Sequence, residues 1–171
     1  MGRNVEIKAR ASDWDAQVRR GMALASATEL IFQTDTFFGC ANGRLKLRRE
    51  RGRGATLIFY RRPVSGGPKT SDYVLIPLAD GASALGFFSR KLGAERTVSK
   101  KRLVCFVGRT RVHFDEVDGL GRFIELEVVL GPRESPASGR REAGALMKAL
   151  GIRPADLLAG AYADMPRADR A

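Results

Sequence analysis

Glu125 and Glu127 stand two residues apart in "RFIELEVVL". The same spacing joins Glu6 to Lys8 in "RNVEIKAR", with Asn4 in register before them, and Arg44, Lys46 and Arg48 in "GRLKLRRE". It recurs for Lys100 and Arg102 in "SKKR" and for Arg111, His113 and Asp115 in "RVHFDEVDGLG". In an extended strand, residues two apart share a face. Each run therefore gathers ionic side chains on one side, with Leu45 and Leu47, or Ile124, Leu126 and Val128, on the other. If the ionic faces converge, Arg offers a planar fork and Lys a compact charge to a chain of phosphoryl oxygens. Glu6, Asp115, Glu125 and Glu127 would then be the metal-binding and catalytic carboxylates. They suit Mg²⁺ or Mn²⁺, whose preference for hard oxygen ligands matches both carboxylate and phosphate. Period alone does not establish convergence, because any solvated antiparallel sheet alternates apolar and charged positions. An amide, an acid and a base on one strand face are costly in a core unless they bind something, and cheap on a wet surface.

The elements that must position these residues follow from pattern and turn signals. Residues 3–10 read as a strand and about 13–26 as a helix, in which Trp14, Val18, Met22 and Ala25 share a stripe. "ATELIFQTDTFF" is extended and leads through Gly39 and Asn42-Gly43 into "RLKLRRE", a hairpin. "ATLIFYRRP" is a strand ended by Pro63, "VSGGPKTS" a flexible basic loop, and "YVLIPL" resumes the extended pattern. Residues 80–93 suggest a helix around Leu85, Phe87, Phe88 and Leu92, with Phe87 and Phe88 in helix packing rather than base stacking. Glycines weaken it. "RTVSKKRLVCFVG", "TRVHFDEVDGLG" and "RFIELEVVLG" are consecutive strands. Ala143, Leu146, Met147 and Leu150 then suit an amphipathic helix closed by Gly151, with a short helix near Pro154. About eight strands and three helices in this order favour a closed or curved antiparallel β architecture over alternating β-α units.

The 171 residues suit one domain. Thirty basic against nineteen acidic residues, a net charge of +11, favour an anionic partner without naming it. Cys40 and Cys105 with a single histidine make neither a disulfide framework nor a thiolate zinc site. Cys105 is expected in the core. No signal peptide or membrane-spanning run is present, so the expected location is cytoplasmic and no membrane partner is expected.

Taken together, "VEIKAR", "GRLKLRRE", "YRRP", "KTSDY", "SKKR" and "RVHFDEVDGLGRFIELEVVL" resemble the CYTH family, also called triphosphate tunnel metalloenzymes, from Asn4 to about Tyr162. The resemblance is closest to its class IV adenylate cyclase-like members. It implies an eight-stranded antiparallel barrel, or tunnel, with flanking helices, inward-pointing charges and divalent metal supporting chemistry on a triphosphate. Carried over by motif, the opening Glu-x-Glu-x-Lys signature falls on Asn4, Glu6 and Lys8. The basic positions fall on Lys46, Arg48, Arg61 and Arg102, with Lys100 a neighbour. Asp115, Glu125 and Glu127 match the acidic positions at the metal end. Asn4 departs from the pattern: it keeps an oxygen that can meet a metal or its water but removes one negative charge. Arg62 is read as the solvent-facing neighbour of Arg61. His113 is expected to support rather than ligate a metal, and Asn4, Lys69, Arg111 and Tyr162 are the other supporting candidates.

The implied activity is conversion of ATP to cAMP and pyrophosphate. A triphosphatase acting on inorganic, thiamine or nucleoside triphosphate needs nearly the same cradle with a different nucleophile. A non-enzymatic nucleotide- or polyphosphate-binding module is a third reading. Nucleic-acid binding, suggested by charge alone, leaves Glu6 and Glu127 without a purpose. Homodimerisation is left open, with no surface assigned.

Overall fold

The computed structural model describes residues 2–166; Met1 and residues 167–171, which the sequence reading includes in the single domain, lie outside the described residues. The strands are β1 (Gly2–Arg10), β2 (Ala27–Phe38), β3 (Arg44–Glu50), β4 (Gly54–Arg61), β5 (Lys69–Leu78), β6 (Ala94–Val107), β7 (Thr110–Val117) and β8 (Gly121–Val129). They close into one antiparallel barrel in the order β1-β5-β4-β3-β2-β6-β7-β8. Closure leaves the barrel no free edge. The expected barrel with flanking helices is therefore what the chain forms.

Helices α1 (Trp14–Leu24), α2 (Gly81–Leu92) and α3 (Pro136–Leu150) lie against the outside. Each starts or stops for a local reason. Asp13 accepts a hydrogen bond from the Ala16 amide, and Asp80 from the amides of Ala82 and Ser83. Gly151 closes α3 in the left-handed conformation, as its position in the sequence predicts. Under α1 and α3, outward residues Ile7, Val112, Phe114, Ile124 and Leu126 form the main core. Cys105 is fully buried there, and Cys40 is exposed. The predicted stripe on α1 holds for Trp14 and Val18 but not for Met22, which is 52% exposed. Gly21 faces the barrel instead, because a Cβ there would lie 2.5 Å from the Phe114 ring. Under α2, Phe88 packs on Phe38 with ring centroids 5.7 Å apart, while Phe87 is exposed. Lys69, Thr70 and Ser71, expected in a loop, begin β5.

The barrel's two ends differ. Where β1, β2 and β7 finish, Phe37, Val98, Val117 and Phe123 turn inward and pack with Tyr162, Leu158 and Met165. Residues 157–165 cross this end as a strap. It is tied to the wall by an Ala9–Leu157 bridge and a hydrogen bond from the Leu158 amide to the Lys8 carbonyl. The predicted short helix near Pro154 is a 3-10 turn leading into the strap. Toward the other end exposure rises along the inward face of β7, from 0% for the Asp115 side chain through 4% for His113 to 37% for Arg111. The barrel is thus capped at one end and open at the other.

Candidate active site

Inside the barrel the ionic stripes meet. Antiparallel register places Glu6 beside Glu127 and Lys8 beside Glu125, then His113 beside Glu125 and Arg111 beside Glu127. It also sets Asp35 beside Arg48, and Arg102 beside Asp115. The space they surround is about 920 Å³, part of it open to solvent. Asn4, Glu6, Lys8, Lys46, Arg48, Lys100, Arg102, Arg111, Glu125, Glu127 and Tyr162 all line it.

The basic residues are held by two buried carboxylates. Asp35 accepts from Lys46 at 2.8 Å and from Arg48 Nε and Nη2 at 2.9 and 3.1 Å. Asp115 accepts from Arg102 Nε and Nη2, both at 2.6 Å, and from the Tyr162 hydroxyl at 2.9 Å. Lys100 stands between them, 3.8 Å from Asp35 and 3.7 Å from Asp115. Burial works against both acids, but Arg48 and Lys46 hold Asp35 well below the usual carboxylate range. Arg102 and Lys100 likewise hold Asp115 at about 2. Burial pushes Lys46 down to about 7 despite Asp35, and lowers Lys100 too, with Arg102 as its next cause. The cations are thus fixed in place before any anion arrives.

Asp35 was not singled out from sequence. It shares a strand face with Glu29 and Gln33 among apolar residues, a pattern that reads simply as extended. Its signal is a carboxylate in period with Phe37, on a strand that must pair with the Lys46–Arg48 stripe.

The acidic end is assembled differently from the expected four-carboxylate set. His113, Glu125 and Glu127 each offer a ligand atom within 4.8 Å of the others. His113 Nδ1 is buried without a hydrogen-bond partner, 3.7 Å from Glu125 Oε2 and 4.0 Å from Glu127 Oε1. Burial drives the imidazole pKa down, with Arg102 adding to it, which favours the neutral, ligating form. Burial would raise Glu125, but Lys8 and Arg102, each at 2.5 Å, hold it well below the usual range. Burial works against Glu127 too, but the positive charge of Arg111 and Arg102 helps to hold its pKa below the usual value. A neutral imidazole nitrogen with two ionised carboxylates fits a divalent cation. Asp115 is instead saturated by Arg102 and Tyr162. Glu6 is tied to Arg62, and burial raises its pKa. His113, expected in support, thus lies in one cluster with Glu125 and Glu127, while Glu6 and Asp115, expected beside them, carry ion pairs of their own, as Glu125 also does.

Arg61 and Arg62 are also exchanged relative to expectation. Register pairs Arg44 with Tyr60 and Lys46 with Ile58, so the inward face of β4 continues to residue 62. Arg62 lines the chamber, whereas Arg61 is exposed and donates to the Asn42 carbonyl at 2.6 Å. Lys69 is buried but donates to the carbonyls of Ser65 and Ala159, both at 2.8 Å, and so clamps the strap. Tyr162 reaches inside: its ring centroid lies 3.2 Å from Lys8 Nζ. Asn4 is 4% exposed and its Oδ1 has no partner among the described residues.

A family model described as the CYTH domain matches residues 2–162. The chain belongs to the CYTH family. Solved structures bear out its fold. PH1012 from Pyrococcus horikoshii is 18% identical, with a TM-score of 0.81 over 94% of this chain and 98% of its own. A candidate adenylate cyclase from Vibrio parahaemolyticus is 19% identical, with a TM-score of 0.73 over 93% and 94%. HpAC1 from Hippeastrum, a candidate adenylyl cyclase with a dominant triphosphatase activity, is 14% identical, with a TM-score of 0.61 over 94% and 91%. A comparison with curated proteins gave no match. Among the described residues, no helix of this CYTH chain is long and apolar enough to cross a membrane.

Proposed function

We propose that the protein is a divalent-metal-dependent enzyme acting on a triphosphate, and that its reaction converts ATP to cAMP and pyrophosphate. The observation that carries this reading is the meeting of Lys46, Arg48, Lys100 and Arg102 with His113, Glu125 and Glu127 in one chamber capped at one end. His113, Glu125 and Glu127 would hold Mg²⁺ or Mn²⁺, which supplies charge neutralisation and acidifies an oxygen nucleophile.

The chain's own groups do the rest. Lys46, Arg48 and Arg102 already point into the chamber, so they meet phosphate oxygens without reorganising. In cyclisation the ribose 3′-oxygen bonds to the α-phosphorus, the bond from that phosphorus to the bridging oxygen breaks, and pyrophosphate leaves with its electron pair. The 3′ proton passes to water. Negative charge grows on the departing pyrophosphate, where the fixed cations stabilise it most. His113 and Glu127 lie toward the open end relative to Lys46 and Lys100. That order favours reaction at the phosphorus nearest the organic group, with the phosphate tail deeper.

Triphosphate hydrolysis is the second reading, and the dominant triphosphatase activity of a protein of the same fold favours keeping it. Water would then attack a terminal phosphorus, giving ADP and phosphate. Incubation of the protein with ATP and Mg²⁺ or Mn²⁺, with separation of products, distinguishes the two. We expect cAMP and pyrophosphate in equal amounts, abolished by chelation and by Glu127→Gln. ADP and phosphate without cAMP would move the assignment to hydrolysis. Binding of ATP without either product set would leave a non-enzymatic module.

A further inference from the structure

The strap of residues 157–165 does more than close one end of the barrel. It is fastened to three strands: the Leu158 amide donates to the Lys8 carbonyl of β1, Arg44 of β3 donates to Asp164 at 2.7 Å, and Arg96 of β6 donates to the Met165 carbonyl at 2.9 Å. Between these anchors Ala161 and Tyr162 line the chamber, and Tyr162 is 5% exposed. One side of its ring region packs on Phe123, with centroids 5.0 Å apart. Its other neighbours belong to the ionic network. The hydroxyl donates to Asp115 Oδ2 at 2.9 Å, the same oxygen that accepts from Arg102 Nη2 at 2.6 Å. The ring centroid lies 3.2 Å from Lys8 Nζ and 5.1 Å from Lys100 Nζ.

Two buried ammonium groups need holding in a chamber that must keep its positive charge for an anion. A further carboxylate would hold them but cancel that charge. An aromatic face attracts an ammonium through its quadrupole and adds no net charge. The hydroxyl does a complementary job. The Arg102 fork engages both oxygens of Asp115, so a carboxylate that turns takes the fork with it. A third bond, from the strap, fixes its orientation. Burial, then Asp115, pushes the phenol well above its ordinary range, so it stays a donor. We infer that Tyr162 is a positioning residue of the phosphate grip, which couples the seating of the strap to the placement of Arg102, Lys8 and Lys100. The inference rests on the chamber being a triphosphate site, and it makes the strap a working part of that site.

Calorimetric titration with inorganic tripolyphosphate and Mg²⁺, alongside amide exchange of the strap, tests it. Tyr162→Phe keeps the ring and loses the bond to Asp115. It should weaken tripolyphosphate about fivefold, the scale of one net hydrogen bond, while the Leu158 and Met165 amides exchange as in the wild type. Tyr162→Leu also loses the face over Lys8 and should weaken binding about fivefold further, within the range of a cation–π contact. A residue that merely fills the end of the barrel would behave differently: Tyr162→Phe would bind normally, and Tyr162→Leu would lose affinity only in step with faster strap exchange. A double variant separates the routes. In an Arg102→Lys background there is no fork left to orient, so Tyr162→Phe should change affinity by less than about twofold, because residues in one network are not additive. Equal penalties in the two backgrounds, or full affinity in Tyr162→Phe, would overturn the inference. Tyr162→Phe alone supplies the second of these results if Tyr162→Leu or the double variant does not fold. Because binding is read without turnover, weakened binding by Tyr162→Phe in a protein that forms no product would reject the enzymatic reading alone. Catalysis by a Tyr162→Phe variant of wild-type affinity would reject the positioning role alone.

Discussion

At the scale of single residues, Asp35 is the most consequential group that does no chemistry. Three cations converge on one carboxylate that is 2% exposed. Removing one member of a buried ion pair leaves uncompensated charge and costs about 3–5 kcal/mol. Asp35→Asn should therefore lower stability by an amount of that order, measured by urea unfolding. Added tripolyphosphate should shrink the deficit, since its oxygens replace the missing counter-charge. Lys46 makes a second prediction, with a sign that differs between binding and folding. Burial brings its pKa from 10.5 to about 7. Below about pH 7 the ammonium is present and grips phosphate; above it, the free protein loses that charge. The affinity for tripolyphosphate should fall as pH rises through about 7, and Lys46→Arg should flatten this arm, as followed by calorimetry. Stability moves the other way. Between about 7 and 10.5 the unfolded chain holds the extra proton, so the Lys46 contribution makes the fold more stable as pH rises.

At the scale of elements, the strap over the closed end depends on Lys69 more than on its own few turns. Lys69 is 3% exposed, and burial, then Arg62, lowers its pKa. Its ammonium bridges the β4–β5 loop at Ser65 to the strap at Ala159. Lys69→Met keeps the length and loses these bonds. Amide exchange should then speed up at Leu158, Asp164 and Met165, whose amides are bonded within or by the strap, and stay unchanged in β7 and β8. Exchange that is unaltered at those three amides would show that apolar packing of Leu158, Tyr162 and Met165 suffices to hold it. Some elements were readable in the sequence and others were not. The β stripes were, because a two-residue period with one apolar side survives in the chain itself and groups Lys46 with Arg48, Lys100 with Arg102, and Glu125 with Glu127; that these faces turn inward is what the family resemblance implies and the closed barrel shows. Arg61 and Arg62 were not, because adjacent arginines give opposite answers unless the partner strand fixes the parity. The place of His113 in a cluster with Glu125 and Glu127 was not legible either, because one strand face says nothing of which neighbour is already bonded. The strap was invisible for a similar reason: "LLAGAYADM" has no period, and its place is set by the apolar rim it covers.

At the scale of the whole molecule, the net charge of +11 has two separate homes. Inside, Lys8, Lys46, Arg48, Lys100 and Arg102 are each opposed by a carboxylate, so they add local directed charge and little long-range field. The excess lies outside. Part of it stands at the rim formed by the turn where β3 ends and β4 begins: Arg49 and Arg51 are exposed there, and Arg51 stacks on Phe32 with its Cζ 4.6 Å from the ring centroid. Arg53 is already paired with Glu29. Rim charges in water act on encounter rather than on the bound state, and salt screens them over about 10 Å at 0.1 M. Raising NaCl should therefore lower kcat/KM for ATP while leaving kcat nearly constant. The Arg49→Gln/Arg51→Gln variant should show a shallower salt dependence with kcat unchanged, because neither side chain reaches the chamber. Lys46→Ala should differ in kind, losing affinity at every salt concentration, since a buried cation beside Asp35 is shielded from mobile ions. If the two variants gave the same salt profile, the rim would be part of the binding site, and the division between outer guidance and inner grip would fail.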